Sequence, residues 1–179
     1  MTNKILAALL FLALPTLALA NSQWVLKKST LTYHVSHPLH EAEGTSHAAR
    51  GKGVCQAGEC NFLIAAPVKS FDSGNSNRDL HMLQITRGAQ FPMVVVRIQL
   101  PEKELSAPTF RANLKISFAG QNVAYNQVPF KETTQGNKMQ VSGTIPMKCS
   151  DFKITRPELL AMPIKDEVPV SVDATWARQ

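Results

Sequence analysis

The stretch Phe110-Arg111-Ala112-Asn113-Leu114-Lys115-Ile116-Ser117-Phe118 decides the fold class. Its apolar residues, Phe110, Ala112, Leu114, Ile116 and Phe118, alternate without a break against Arg111, Asn113, Lys115 and Ser117. A period of two belongs to a strand with one face buried and one in water, whereas a helix repeats at about 3.6 residues. Ala119-Gly120 follows, and Gln121 to Phe130 reads as the returning strand of an antiparallel hairpin.

Outward from this hairpin the chain repeats the pattern at intervals of roughly ten residues, the spacing of an all-β domain. Thr30 to Ser36 alternates Leu31, Tyr33 and Val35 against polar neighbours. Gly44 to Val54 and Cys60 to Val68 form a second hairpin, and Pro92 to Leu100 is rich in valine. Met139 to Met147 and Val168 to Trp176 complete the set. The helical candidates are Asn75 to Ile85 and a turn at Pro157 to Ala161. Eight such strands suggest an antiparallel barrel, because closure removes the exposed edges at which strands aggregate. An immunoglobulin-like sandwich has the same spacing, and period alone does not separate the two. Nor does it say whether a barrel is filled by its own side chains or holds one small ligand.

The first twenty residues read as a secretory signal peptide over residues 1–20. Lys4 supplies the positive charge, Ile5 to Leu19 is apolar apart from Pro15 and Thr16, and Ala18-Leu19-Ala20 is a small-x-small cleavage pattern. The apolar run is shorter than the roughly 20 residues a bilayer span requires. No cysteine stands at the cleavage point to take a lipid anchor. Residues 21–179 are then one domain of ordinary size, long enough to bury a real core, with no further membrane span. A periplasmic location is expected. The formal charge of +6 is dispersed, with no basic block and no basic-aromatic stripe, so nucleic acid is not expected as a partner.

Cys55 and Cys60 bracket Gln56-Ala57-Gly58-Glu59, which holds the glycine a hairpin turn favours. Opposed strand positions lie about 4.5–5.5 Å apart between Cα atoms, close to disulfide geometry, and an exported protein meets an oxidising compartment. A Cys55–Cys60 disulfide is expected, stabilising by about 2 kcal/mol on the chain-entropy account. Cys149 is left over, either as a small buried apolar residue or as part of a metal site or swapped disulfide.

No catalytic arrangement emerges. The chain has no G-x-S-x-G, and no nucleophile-base set stands out. His34, His37, His40 and His47 fall close together, which raises a metal- or haem-associated accessory role as an alternative reading. On a straight strand, though, His34 and His40 would stand about 20 Å apart. The spacing also lacks the helical or paired-cysteine forms typical of zinc sites. No metal and no cofactor is expected. At Asn75 to Met82, Asn75 or Ser76 can cap a helix and Asp79 suits its first turn. Arg78 and His81 then either make structural contacts or face an anionic ligand group.

Several fragments, in order, resemble the YceI family of lipocalin-like, polyisoprenoid-binding periplasmic proteins. They are the opening strand from Trp24 through His34-Val35-Ser36-His37; Phe71-Asp72-Ser73-Gly74-Asn75 leading to Arg78-Asp79-Leu80-His81-Met82; Phe91-Pro92; Leu114 to Gly120; and Ser150-Asp151-Phe152-Lys153-Ile154. The likeness runs from about Trp24 to Trp176. The chain departs from the family at His47 to Cys55, which lacks the usual phenylalanines, and Lys153 stands where the family has glycine. The resemblance implies an extended, eight-stranded antiparallel barrel with one short helix, without catalysis. An apolar tunnel would bind a polyisoprenoid or similar long-chain lipid. Phe62, Phe71, Met82, Phe91, Phe110, Phe118, Phe130 and Phe152 would line it, with Arg78 and His81 at the ligand head group. A homodimer is compatible with the resemblance.

Overall fold

The computed structural model describes residues 22–179, so the signal segment expected over residues 1–20 lies outside the described residues. The strands are β1 (Ser22–His37), β2 (His40–Ser46), β3 (Arg50–Gln56), β4 (Glu59–Pro67), β5 (Met93–Pro101), β6 (Thr109–Phe118), β7 (Gln121–Gln135), β8 (Lys138–Ile145), β9 (Glu158–Leu159), β10 (Met162–Pro163) and β11 (Val170–Arg178). One α-helix, α1 (Ser76–Ile85), lies between β4 and β5.

The main sheet runs β11-β8-β7-β6-β5-β4-β3-β1-β2, and β1 also pairs with β11, so it closes on itself. Every pairing in it is antiparallel. The wall is eight strands around, because β2 and β3 occupy one edge of β1 in succession. Closure decides for the barrel over the sandwich.

The strand expected over Gly44 to Val54 is therefore two strands, broken at residues 47–49. At the break the Ser46 hydroxyl accepts the Ala48 N–H at 3.2 Å, taking a backbone donor out of the ladder. Beyond it β2 leaves β4. Its outer edge then holds a single bridge, with Thr45 and Asp72 exchanging backbone bonds of 2.8 and 3.0 Å. The opening strand starts earlier than its alternation suggests, at Ser22, with a register shift between Leu26 and Lys28. The turn expected at Pro157 to Ala161 is the small β9–β10 hairpin.

The stretch from Phe110 to Phe118 behaves as its alternation requires: Phe110, Ala112, Leu114 and Ile116 are buried, while Arg111, Asn113 and Lys115 are exposed. It turns into β7 through Ala119 and Gly120, at φ 49° and 77°. Gly120 is required twice over. The left-handed conformation suits glycine, and a Cβ would sit 2.7 Å from the Phe91 ring. Arg87 donates to the Ala119 carbonyl, and its guanidinium lies 5.0 Å from the Phe91 ring centroid.

One end of the barrel is packed solid. Trp24, Phe62, Leu100, Met139 and Trp176 are buried there with the Cys55–Cys60 disulfide, whose cysteines face each other across β3 and β4. Phe62 meets Trp176 edge-on at 5.1 Å and lies against Gly53, where a Cβ would come within 2.3 Å of the ring. The other end is open.

Candidate functional site

The interior faces of the strands above that packed plug enclose a cavity of about 700 Å³. This is within the range of about 300–1,000 Å³ that holds small ligands. Its walls are aliphatic and aromatic: Leu26, Leu31, Val35, Ile64, Val96 and Ile98 with Phe110, Phe118, Phe130 and Phe152. Phe110 and Phe130 stack at 5.6 Å, and Trp176 completes the apolar lining. Polar side chains are few: Ser29 on the wall, its hydroxyl buried without a hydrogen-bond partner, and His37, His40, Asn75, Asn77, Arg78, His81, Lys148 and the acidic Glu158 toward the mouth.

Helix α1 brings several of these groups to the rim. The Asn75 side chain accepts the Arg78 N–H at 3.1 Å, capping the helix. Asp79 accepts the Ser73 N–H at 3.1 Å and its hydroxyl at 2.6 Å, fixing the chain that enters the helix. Asp79 is thus a structural group. The Arg78 guanidinium has no ion pair and no hydrogen bond among the described residues. None of the helix residues is buried. Tyr33, which packs 5.9 Å from Phe71, has its phenol pushed above its ordinary range by burial and by the Asp79 carboxylate.

On the opposite rim Cys149 is a buried free thiol that borders the cavity. Burial, reinforced by the Asp166 carboxylate, raises its pKa to about 11. Asp166 in turn is held below the usual carboxylate range by the Ser150 hydroxyl and N–H, which donate to it at 2.5 and 2.9 Å. The Tyr125 hydroxyl donates to Asp151 at 2.6 Å, and burial together with that carboxylate raises its pKa.

Of the residues expected at the ligand, Phe71, Met82, Phe110, Phe118, Phe130 and Phe152 border the cavity, with Arg78 and His81 at its mouth. Phe62 and Phe91 do not. Phe62 lies in the plug beneath the cavity, and Phe91 is taken up by Arg87 and the β6–β7 turn. The sequence reading missed the aliphatic wall and the pair His37 and His40, whose rings lie 5.0 Å apart. His37 is buried and satisfied: the Leu39 N–H donates to its Nδ1 at 3.1 Å, which leaves Nε2 to donate to the Met162 carbonyl at 3.0 Å.

The remaining histidines stand apart. His34 bonds Ser171 and lies 3.4 Å from Glu43, while His47 contacts Ser29 and Thr30. Among the described residues, one trio of ligand-type groups converges, Cys55, Cys60 and Glu102, and its two sulfurs are already bonded to each other. No helix there is long and apolar enough to cross a membrane.

Solved structures share this architecture. BcnA of Burkholderia cenocepacia superposes with a TM-score of 0.70 at 15% identity, covering 82% of this chain and 95% of that one. A polyisoprenoid binding domain from Saccharophagus degradans gives 0.69 at 14% identity, covering 87% and 98%. The YceI protein of Campylobacter jejuni gives 0.52 at 15% identity, covering 66% and 72%. No curated protein sequence matches the chain. The sequence pattern of the YceI-like domain matches residues 24–176, nearly the whole barrel, and the chain belongs to the YceI-like family.

Proposed function

We propose that the protein binds a polyisoprenoid or a similar long-chain lipid in the barrel cavity, as a carrier or sequestering protein of the periplasm and not as an enzyme. The observation that carries this reading is the cavity itself, an apolar chamber of about 700 Å³ with most of its polar and charged groups, Arg78 and His81 among them, toward one mouth. Each buried methylene contributes about 0.8 kcal/mol, so a long hydrocarbon chain binds tightly without a polar contact inside. Its head would rest at Arg78 and His81, where an unpaired guanidinium awaits an anionic group. The solved domain described as polyisoprenoid binding supports the same ligand class. The signal-like segment supports export.

Native mass spectrometry of protein purified from a periplasmic extract tests this directly. The expected result is an adduct of lipid mass that denaturation releases as a polyprenyl or fatty chain. A bare protein whose melting temperature no such lipid raises would sink the reading.

A further inference from the structure

Among the described residues five leucines stand exposed: Leu39 (57%) in the β1–β2 turn, Leu63 (49%) on β4, Leu80 (58%) on α1, and Leu159 (47%) and Leu160 (75%) at the β9–β10 hairpin. A single exposed apolar residue needs no explanation. Three of them, Leu39, Leu159 and Leu160, collect where the cavity opens. Leu39 lies between His37 and His40, and Leu159 with Glu158 borders the cavity directly, whereas Leu80 stands on the face of α1 away from Arg78, His81, Met82 and Ile85, which line it. Hydrogen bonds from His37 to Met162 (3.0 Å) and from the Lys165 N–H to Ser36 (2.8 Å) hold the β1–β2 and β9–β10 turns together.

The β9–β10 apex supplies an independent observation. Leu160 and Ala161 lie at φ 53° and 60°, the two left-handed positions of a two-residue hairpin turn. Asn-Gly fills such a turn at least cost. The turns at Ala57-Gly58 and Ala119-Gly120 both place glycine second, whereas this one has none. Leu160 is at once conformationally strained and the most exposed of the five, so neither turn geometry nor core packing accounts for it. Near the mouth Arg78 and Lys165 have no ion pair among the described residues, Arg156 lies close enough to Asp166 to help hold its carboxyl down, Glu167 pairs with Lys148 at 3.7 Å, and Glu158 is left as the unpaired acid of the hairpin.

We propose that this leucine rim docks the mouth onto an anionic lipid bilayer, so that a long apolar ligand passes between membrane and cavity without crossing water. Exposed leucines set among cations suit the interfacial zone of such a membrane. The proposal rests on the reading of the cavity as a lipid site and adds where that lipid is exchanged.

The test is flotation of the mature chain with vesicles of phosphatidylethanolamine and phosphatidylglycerol, comparing wild type with the double variant L160N/A161G. That variant relieves the strained turn, so it should melt no lower than wild type. Its vesicle affinity should nevertheless fall about tenfold, the worth of burying one leucine. Leu63→Glu, on the barrel wall away from the mouth, should float as wild type does. A double variant that floats undiminished, or a wild type that stays off the vesicles, overturns the proposal. A rim-dependent complex with another protein would then name the real occupant. Ligand content, read separately by denaturing mass spectrometry, keeps the two ideas apart. Protein that holds lipid but never floats sinks the rim alone, and protein that floats but never takes up lipid sinks the cavity reading.

Discussion

At the scale of single residues, Cys149 and Arg78 mark the two sides of the mouth and behave oppositely. The Cys149 thiol has its pKa raised to about 11 from an ordinary value of 9.0, so between these values the unfolded chain has lost a proton that the folded chain keeps. Stability should be whole below pH 9 and fall as pH rises toward 11, by an amount on the order of 2 kcal/mol. Denaturant titrations at a series of pH values read this slope, and Cys149→Ala should make it shallower, leaving the part above about pH 10 that the raised Tyr33 and Tyr125 phenols supply. Arg78 has no ion-pair partner among the described residues. On the proposed function, Arg78→Gln should weaken a phosphate- or carboxylate-headed lipid by about 1.5–3 kcal/mol, the worth of a hydrogen bond to a charged group. It should leave an alcohol-headed lipid of the same chain nearly unaffected. Equal losses for both, measured by titration, would remove Arg78 from the head group.

At the scale of elements, the hairpins and the helix differ in what holds them. The Cys55–Cys60 staple closes a short loop, so replacing both cysteines by serine should cost about 2 kcal/mol and lower the melting temperature by about 4–8 °C. Helix α1 has no buried residue and depends on its cap. Asn75→Ala should therefore cost about 1 kcal/mol locally, which hydrogen exchange would register as roughly fivefold faster exchange across Ser76–Ile85 with β6 and β7 unchanged. Elements were the most legible part of the sequence. The β6 alternation, the Cys-framed turn and the Asn75 cap are local rules, and each is met where the residues stand. The break at residues 47–49 was not legible, because it depends on Ser46 turning its hydroxyl to a backbone donor. The length of β1 was hidden too, since its first half alternates poorly around the bulge near Lys27.

At the scale of the whole molecule, barrel closure and the position of the plug determine which aromatic residues can meet a ligand. Phe62 and Phe110 have the same strand pattern and the same burial, yet one lies in the plug and the other borders the cavity. No period distinguishes them, because the height of a residue along the barrel axis follows from the register of all the strands together. The aliphatic wall was passed over for a related reason: valines and isoleucines in a strand read as core until the core proves to be hollow. Val96, half-buried on that wall, allows a direct check of the cavity. Val96→Phe should fill part of the chamber and reduce lipid affinity by about tenfold, the equivalent of roughly two methylenes, without lowering the melting temperature. Mass spectrometry and calorimetry on one preparation would read both.

The divergence of β2 from β4 has a kinetic consequence. Beside the mouth the wall is joined by one pair of backbone bonds, Thr45 with Asp72, and by a contact between the Ser46 and Ser70 hydroxyls, while the rest of the circumference is paired strand, shifted in register only within β1–β11 and β6–β7. A seam of this kind can part while the ladder stays intact. The dwell time of a cargo and the lifetime of the fold are then set by different bonds, and selection can shorten the first without touching the second.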